Sequence, residues 1–216
     1  MDHLNPWFDI FSLLDLKSQL ALLFTCNLFK NNLSITDLYD IEEKYLNVLT
    51  NNILRLDIFK YVTKLKANNK KITNVSFMTN LKILYASCYP GINQNGINGL
   101  DLVELNASYN DKVINVSFMK NLKKLNVSEN RGIDQNGING LDLVELHVNF
   151  TNKINNVSFM KNLKKLYAYC NCRINQNGIK GLDLVELDTY SNTKITDISF
   201  MKNLKIYKKI IEFLKS

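Results

Sequence analysis

A phrase of eleven residues, Asn-Val-Ser-Phe-Met-Lys-Asn-Leu-Lys-Lys-Leu, occupies 115–125 and recurs without a change at 156–166. Close variants of it begin at Asn74 and Asp197, so the phenylalanine of each copy recurs after 41 residues. A second phrase, ending in Gly-Leu-Asp-Leu-Val-Glu-Leu in each of three copies, fills the other half of each period. A fixed period of this length predicts a repeat architecture, in which each unit packs against its neighbours.

Both phrases end in one skeleton, which shows that the true unit is half the period. In the copy that begins at Leu122, the skeleton continues with Leu125, Val127 and Asn130. The first leucines follow one another in alternating steps of 21 and 20 residues, at Leu81, Leu102, Leu122, Leu143, Leu163, Leu184 and Leu204. An earlier, less regular copy begins at Val62. The alternating apolar run in each unit predicts a short strand that must stack on its neighbours to bury its apolar face.

This skeleton resembles the leucine-rich repeat family over residues 61–207, as about seven to eight units of 20–21 residues. The resemblance implies an α/β fold: a leucine-rich repeat solenoid with a curved parallel sheet and a convex side of short 3-10 helices and loops. We expect a non-repeating helical segment at 1–36 and a helical connector or N-terminal cap at 37–60. A C-terminal cap is expected at 208–216.

Several side chains have predicted roles inside the repeats. The Ser-Phe-Met triplets should place phenylalanine and methionine in the core beneath the convex side. The eight glycines all fall in the second phrase, which favours tight turns with positive φ over phosphate-binding loops. The asparagine at the ninth position should satisfy backbone groups where the chain leaves the strand, at Asn110, Asn130, Asn171 and Asn192. Gaps in this ladder are expected at Tyr89 and Thr151.

Composition limits the classes of function. The net charge of +7 comes mainly from lysine, since only three of the 27 basic residues are arginine, so binding to nucleic acid is not expected. The four cysteines fit no disulfide framework or zinc motif, and no apolar run is long enough to span a membrane. The first residues do not resemble a secretory signal. We therefore expect a cytoplasmic protein without metal or cofactor, and without an enzymatic site.

The N-terminal stretch Ile10–Phe29 is similar to the core of an F-box. Asn5-Pro6 is a helix-start signal before it. The leading Leu-Pro pair of that family is replaced by Asp2-His3 at the expected place. The resemblance implies contacts with a Skp-type ubiquitin-ligase subunit through Pro6, Ile10, Phe11, Leu14 and Leu16. The same residues also fit an amphipathic helical cap that shields the open end of the solenoid.

The alternation of a strand places positions 3, 5, 7 and 8 of each unit on the concave side. Position 3 alternates between glutamate and lysine from Glu104 to Glu186, which predicts a charge ladder along the sheet. Positions 5, 7 and 8 vary between otherwise identical copies, while three glutamines of the return loops do not vary. We predict a partner-binding surface of Tyr85, Asn106, Tyr109, Asn126, Glu129, His147, Asn149, Phe150, Tyr167, Tyr169, Asp188 and Tyr190.

These features favour a non-enzymatic protein–protein interaction protein, monomeric, whose target binds on the concave face. The F-box resemblance implies a substrate adaptor for a cullin–RING ubiquitin ligase, and the alternative is a stand-alone binding scaffold with no ligase role. The near-identical units and the bias towards asparagine, lysine and isoleucine also resemble the leucine-rich repeat proteins of large amoeba-infecting DNA viruses. That resemblance would place the protein in the host cytoplasm.

Overall fold

The structure is a computed structural model, which describes residues 18–19, 35–39, 49–56, 59–88 and 91–208. Its strands form one parallel sheet in which every strand pairs with the next strand along the chain. They are β1 (Asp37–Leu38), β2 (Lys64–Lys66), β3 (Ile83–Tyr85), β4 (Glu104–Asn106), β5 (Lys124–Asn126), β6 (Glu145–His147), β7 (Lys165–Tyr167), β8 (Glu186–Asp188) and β9 (Ile206–Lys208). This is a leucine-rich repeat solenoid, as the sequence predicted.

The register of the sheet places equivalent residues of successive units beside one another. Leu105 pairs with Leu84 on one side and with Leu125 on the other. The first leucines of the units from Leu81 to Leu184 are all buried, with at most 1% of their surface exposed. The predicted leucine column is therefore confirmed. Each buried leucine contributes about 1.5–3 kcal/mol, and a three-residue strand on its own could not bury it.

The asparagine ladder behind the sheet is present in three units. Asn130 Nδ2 donates to the carbonyl oxygens of Ala107 (3.2 Å) and Val113 (3.3 Å), and its Oδ1 accepts the N–H of Ile133 at 2.9 Å. Asn110 and Asn192 make equivalent bonds to the unit before them. The side-chain amide thus joins each unit to the previous one, as predicted for these positions.

The expectation for Asn171 was wrong, because this side chain is exposed and Cys172 is buried instead. The equivalent acceptor of an Asn171 amide would be the carbonyl oxygen of Val148. That oxygen already accepts a hydrogen bond of 2.6 Å from the hydroxyl of Thr151. The Cys172 thiol lies against Thr151, and burial raises the pKa of this thiol. The predicted gap at Thr151 is therefore followed by a second gap at Asn171, where Cys172 is the buried residue.

The convex side only partly matches the predicted packing. The four methionines of the Ser-Phe-Met triplets are buried, and the most exposed of them, Met201, has 6% of its surface accessible. Their phenylalanine neighbours lie at the surface of the core: Phe77, Phe159 and Phe200 are partly buried, and Phe118 is 38% exposed. The methionines and the preceding valines are buried beneath the return loops, and the partly buried phenylalanines pack against the edge of the core.

The glycines have two different structural roles. Only Gly99, Gly140 and Gly181 have the predicted positive φ. The others bring backbones into close contact: a Cβ built on Gly137 would lie 2.5 Å from the carbonyl oxygen of Ile114, and one on Gly178 would lie 2.2 Å from that of Asn155. Among them, Gly96, Gly137 and Gly178 lie in the 3-10 helices Gln94–Ile97, Asn136–Ile138 and Asn177–Ile179. Close packing between units therefore requires glycine there.

The N-terminal end of the sheet extends further than the predicted repeats. β1 lies inside the stretch 37–60 that was expected to be a helical connector, and it pairs with β2. A four-residue helix, Asn51–Leu54, is capped by Thr50, whose hydroxyl accepts the N–H of Ile53. Of the predicted F-box-like segment, residues 18–19, which are helical, and residues 35–36, which directly precede β1, are described. The rest of that segment and residues 209–216 of the predicted C-terminal cap lie outside the described residues.

Candidate binding surface

The exposed face of the sheet, which we call the sheet face, carries positions 3, 5, 7 and 8 of each unit. The register places the position-5 side chains in one row, because Asn106 pairs with Tyr85 and Asn126, and Tyr167 pairs with His147 and Asp188. All six are partly exposed. The sheet thus brings the predicted position-5 residues together as neighbours about 4.8 Å apart.

The position-3 charge ladder is present in two of its predicted pairs. Lys124 Nζ lies 3.7 Å from Glu104 Oε2, and Lys165 Nζ lies 3.6 Å from Glu186 Oε2. Glu145 stands between the two lysines in register, but its carboxylate contacts His147 Nε2 at 2.8 Å. The ladder is thus two separate pairs, because a histidine two residues along the same strand reaches Glu145 at a shorter distance.

Aromatic rings stack across the strands of the sheet face. The ring centroids of His147 and Tyr167 lie 4.0 Å apart with nearly parallel planes. Burial and a hydrogen bond to Glu186 raise the pKa of Tyr167 to about 12. This network of rings and carboxylates holds the side chains of two adjacent strands in fixed positions, so the middle of the face is preorganised.

A second aromatic pair lies at the N-terminal end of the sheet face. The rings of Tyr39 and Tyr85 lie 4.7 Å apart, and the Tyr85 hydroxyl is bonded to Glu104. Burial, followed by this bond to Glu104, raises the pKa of Tyr85 above its ordinary value. Tyr39 was missed by sequence reasoning because it precedes the first recognisable repeat and follows none of the repeat positions.

A shallow cavity of about 160 Å³ opens in the middle of the sheet face. Its walls are polar and charged, and include Tyr85, Glu104, Asn106, Lys124 and His147. Most of the charges are already engaged: Glu104 pairs with Lys124, and Glu145 with His147. We therefore consider the cavity as part of a larger contact surface and not as a site for a small molecule.

The strand ends are fixed by asparagine and aspartate side chains at position 5. Asn106 Oδ1 accepts the N–H of Ser108 at 3.1 Å, Asn126 Oδ1 accepts that of Ser128 at 3.0 Å, and Asp188 Oδ1 accepts that of Tyr190 at 3.0 Å. The three residues therefore have a structural role as well as a predicted contact role.

Asn149 differs from its predicted exposed position, because only 5% of its surface is accessible. Its Oδ1 accepts the N–H of Tyr169 at 3.1 Å, and its Nδ2 donates to Ser128 Oγ at 3.2 Å. The unit of Tyr169 has tyrosine at position 5 and therefore cannot form its own turn, so the preceding unit supplies the acceptor. Asn149 thus holds strands together and offers little surface to a partner.

Position 8 has an unusual backbone conformation in the six units that begin at Leu81 to Leu184. Residues from Cys88 to Ser191 at this position have φ between 42° and 58°, including Tyr109, Glu129 and Phe150. Bulky side chains seldom occupy the left-handed region, which here turns the chain out of the sheet. Tyr109 is 54% exposed and Phe150 41%, and the nearby Tyr190 is 51% exposed. The turn therefore presents large rings at the rim of the sheet face.

The invariant glutamines have a structural explanation. Each uses its side-chain amide to bind the backbone of the next unit, as in the bonds from Gln135 Oε1 to the N–H groups of Asn155 (3.2 Å) and Asn156 (3.0 Å). From the sequence, these glutamines are exposed residues that could vary, so their constancy contrasts with the variation at positions 5, 7 and 8 of the sheet face. That contrast is weaker than the sequence suggested, because these glutamines are constrained by hydrogen bonds.

Other predicted sites are not represented in the described part of the chain. The residues proposed to contact a Skp-type subunit, Pro6, Ile10, Phe11, Leu14 and Leu16, lie outside the described residues. Among the residues that are described, no group of three or more histidine, cysteine, aspartate or glutamate side chains could hold a metal ion. Within the same residues, no helix has the length and apolarity needed to cross a membrane.

Comparison with known proteins adds little beyond the fold. No family model matches the chain, and no curated protein matches it. Among solved structures, it is similar to an internalin (inlF) from Listeria monocytogenes, with 20% identity and a TM-score of 0.47. The similarity covers 69% of this chain and 48% of that chain, so the chain spans about half of its length. The fold assignment therefore rests on the strands and the leucine column described above.

Proposed function

We propose that the chain is a protein-binding scaffold whose target lies on the sheet face. The observation that carries this proposal is the row of exposed aromatic rings there, with Tyr109, Phe150 and Tyr190 each more than 40% exposed. Exposed aromatic side chains are enriched among the residues that dominate binding energy at protein interfaces. The buried scaffold of each unit is nearly identical, so the sheet face is where successive units differ.

The proposed mechanism is binding without chemistry. The rings and carboxylates of the sheet face are held by stacking and hydrogen bonds before a partner arrives, as in the pair His147 and Tyr167. A preorganised surface loses less side-chain entropy on binding, which favours affinity. His147 is bonded to Glu145 in this network, and we propose that it contacts the partner and is not a catalyst.

The finer proposal is that the scaffold is the substrate-binding half of an F-box adaptor. It is supported by the sequence similarity of Ile10–Phe29 to an F-box and by the repeats that follow it. In that case a Skp-type subunit would bind the N-terminal segment, and the chain would bring its target close to the ubiquitin ligase in the cytoplasm. The alternative is a stand-alone scaffold, in which the same segment only caps the solenoid.

The scaffold proposal is tested by cross-linking the full chain to the proteins that co-purify with it and mapping the linked residues. The chain offers matched variants, because residues can be exchanged between its own units. Tyr190→Ser introduces the residue that Ser108 supplies at the same position, and Asp197→Asn, on the convex side, introduces the residue of Asn115. We expect Tyr190→Ser to reduce capture and Asp197→Asn to leave it unchanged. Equal capture by both variants would place the interface elsewhere.

The adaptor proposal has a separate test. The full chain is mixed with a purified Skp-type protein, and binding is compared with that of a variant carrying Phe11→Ala and Leu14→Ala. We expect a complex with the unaltered chain that the double variant does not form. No complex with either chain would favour the stand-alone scaffold.

A further inference from the structure

The central part of the sheet face has a charge opposite to that of the protein as a whole. Between Ile83 and Ser191, positions 3, 5, 7 and 8 carry two lysines, Lys124 and Lys165, and five acidic residues, so the middle of the face has three net negative charges with histidine neutral. The chain has a net charge of +7. The acidic residues are Glu104, Glu129, Glu145, Glu186 and Asp188. Lysines occur at both ends of the face, so the acidic region is central.

Two of these carboxylates are not neutralised by a cation. Glu104, Glu145 and Glu186 each contact a lysine or a histidine, as described above. Of the ion pairs among the described residues, none includes Glu129 or Asp188. Glu129 Oε1 accepts a hydrogen bond of 3.1 Å from the Tyr109 hydroxyl, which raises the pKa of Tyr109. Its carboxylate is thus held in place by a neutral donor and not by a cation.

Aromatic rings flank Glu129 on both sides. Tyr109 and Phe150 occupy the same position 8 in the units before and after it, so their backbones lie about 10 Å apart along the stack. The Phe150 ring also packs edge-on against Tyr169, with centroids 5.6 Å apart. A cation that pairs with Glu129 would lie between two units that each carry an aromatic ring at position 8, and a cation–π contact forms where a ring centroid lies within about 6 Å of the cation. We call Tyr109, Glu129, Phe150 and Tyr169 the rim cluster.

We propose that the rim cluster binds an arginine side chain of an extended segment of the partner protein. The inference rests on the proposed function, since it assigns partner chemistry to the same face. A guanidinium group is planar, stacks on aromatic rings and forms paired hydrogen bonds with a carboxylate, so it uses every group of the cluster. An ammonium group would use the charge of Glu129 but could not stack on the rings.

Asp188 extends the proposed contact along the sheet. It lies three strands from Glu129, which is about 14 Å across the sheet, and an extended chain covers that component in about four residues. The long arginine side chain must span the remaining offset along the strand between positions 8 and 5. A second arginine four residues from the first would therefore reach Asp188 when the segment runs across the strands. Lys208 lies beside Asp188 in the register of β8 and β9, so we expect the second contact to be weaker than the first.

The test uses the full chain and a fluorescein-labelled peptide of fifteen residues, with two arginines four positions apart among glycine and serine. Peptides of the same length with lysine, citrulline or glutamate at both positions serve as comparisons, because citrulline keeps the shape of arginine without its charge. Binding is measured by fluorescence anisotropy at low and at physiological salt. We expect the arginine peptide to bind about tenfold more tightly than the citrulline peptide, and more tightly than the lysine peptide.

Variants identify the site of binding. Glu129→Gln removes the charge and keeps the hydrogen-bond acceptor for Tyr109, and Phe150→Ser introduces the residue that Ser191 already supplies at position 8 with positive φ. We expect each to weaken binding of the arginine peptide about tenfold. Asp197→Asn also removes one negative charge, but on the convex side, and should leave binding unchanged. Circular dichroism confirms that each variant is folded.

The possible outcomes separate this inference from the proposed function. If Asp197→Asn weakens binding of the arginine peptide as much as Glu129→Gln does, the peptide is bound by general attraction of charge. That result would overturn the proposal that the rim cluster is the arginine site. Preference for the glutamate peptide, or equal binding of arginine and citrulline peptides, would also overturn it. If cross-links from a natural partner map to the sheet face but its linked segment contains no arginine, the scaffold proposal stands and this inference fails.

Discussion

The side-chain amide of Gln94 binds the backbone of Asn115 through two hydrogen bonds: Oε1 accepts the N–H of Asn115 at 2.9 Å, and Nε2 donates to its carbonyl oxygen at 3.0 Å. Oε1 also accepts the N–H of Ile114 at 3.0 Å. Gln135 and Gln176 repeat the arrangement one and two periods later. A primary amide both accepts and donates hydrogen bonds, so it can bond to a backbone N–H group and a backbone carbonyl oxygen of the next unit at the same time.

Replacing Gln94 with glutamate tests this link between units. The carboxylate of Gln94→Glu keeps the acceptor but places a second oxygen against the carbonyl oxygen of Asn115. We expect the free energy of unfolding to fall by about 1–2 kcal/mol, measured by urea denaturation. Asn95→Asp makes the same change of charge at the exposed neighbouring residue and should have little effect. Equal losses in the two variants would show that charge, and not the hydrogen bonds, explains the change.

The asparagine ladder makes a prediction that compares two residues with the same place in the repeat. Asn130→Ala removes a buried amide that satisfies several backbone groups, so we expect a loss of stability of about 2–4 kcal/mol. Asn171→Ala removes an exposed side chain and should cost less than about 0.5 kcal/mol. Thermal or urea unfolding measures both. Similar costs would mean that Asn171 belongs to the ladder after all.

The charges of the sheet face predict an effect of Lys124 on stability. Lys124→Glu places a third carboxylate between Glu104 and Glu145 on the neighbouring strands. Because each exposed pair is weak, we expect a loss of about 1 kcal/mol at low salt that decreases as salt is added. Lys153→Glu, an exposed lysine away from the sheet face, has the same change in net charge and is the control. A loss that does not depend on salt would contradict an electrostatic origin.

The two roles of glycine predict opposite tolerance to substitution. Gly137→Ala would place a Cβ 2.5 Å from the carbonyl oxygen of Ile114, so we expect a loss of about 3 kcal/mol or more, or failure to fold. Gly99 has φ of +79° and open space around it, so Gly99→Asn should cost less than about 1 kcal/mol, since asparagine tolerates this region. The midpoints of urea unfolding compare the two. A tolerated Gly137→Ala would show that adjacent units can separate without cost.

The aspartates that precede the strands predict a dependence of stability on pH. The pKa of the Asp142 carboxyl lies below its ordinary value of 3.8, because the side-chain and backbone N–H groups of Asn162 donate to it. Asp101 and Asp183 are equivalent. A lowered pKa in the folded state means that the carboxylate stabilises the fold above its unfolded pKa, and that this contribution is lost as the pH falls through the folded pKa.

We therefore expect the free energy of unfolding to fall as the pH is lowered from about 5 through the lowered pKa values of these aspartates. The triple replacement of Asp101, Asp142 and Asp183 by asparagine keeps an acceptor oxygen at each site but cannot titrate. Its stability should fall less steeply over the same interval, measured by urea denaturation at successive pH values. Identical slopes would show that other carboxyl groups dominate acid unfolding.

The architecture could be predicted from the sequence because its determinants are local and repeated. The leucine spacing that begins at Leu81 fixes which residues face the core, and the constant period fixes the register, since a slip would expose the whole column. The pairing of Lys124 with Glu104 follows from that register alone. For the same reason the residues of the sheet face from Tyr85 to Tyr190 could be named in advance, apart from the buried Asn149 and the missed Tyr39.

What the tertiary structure alone decided are the contacts that depend on the neighbouring unit. The Thr151 hydroxyl donates to the carbonyl oxygen that an Asn171 amide would use, and Cys172 is buried in place of Asn171. The carboxylate of Glu145 contacts Nε2 of His147, whose ring is stacked on Tyr167, and not the lysines of the predicted ladder. Gly137 is needed because the Ile114 carbonyl approaches it. Spacing along the chain sets which units meet, but hydrogen bonds and close packing between units select which side chains make the contact.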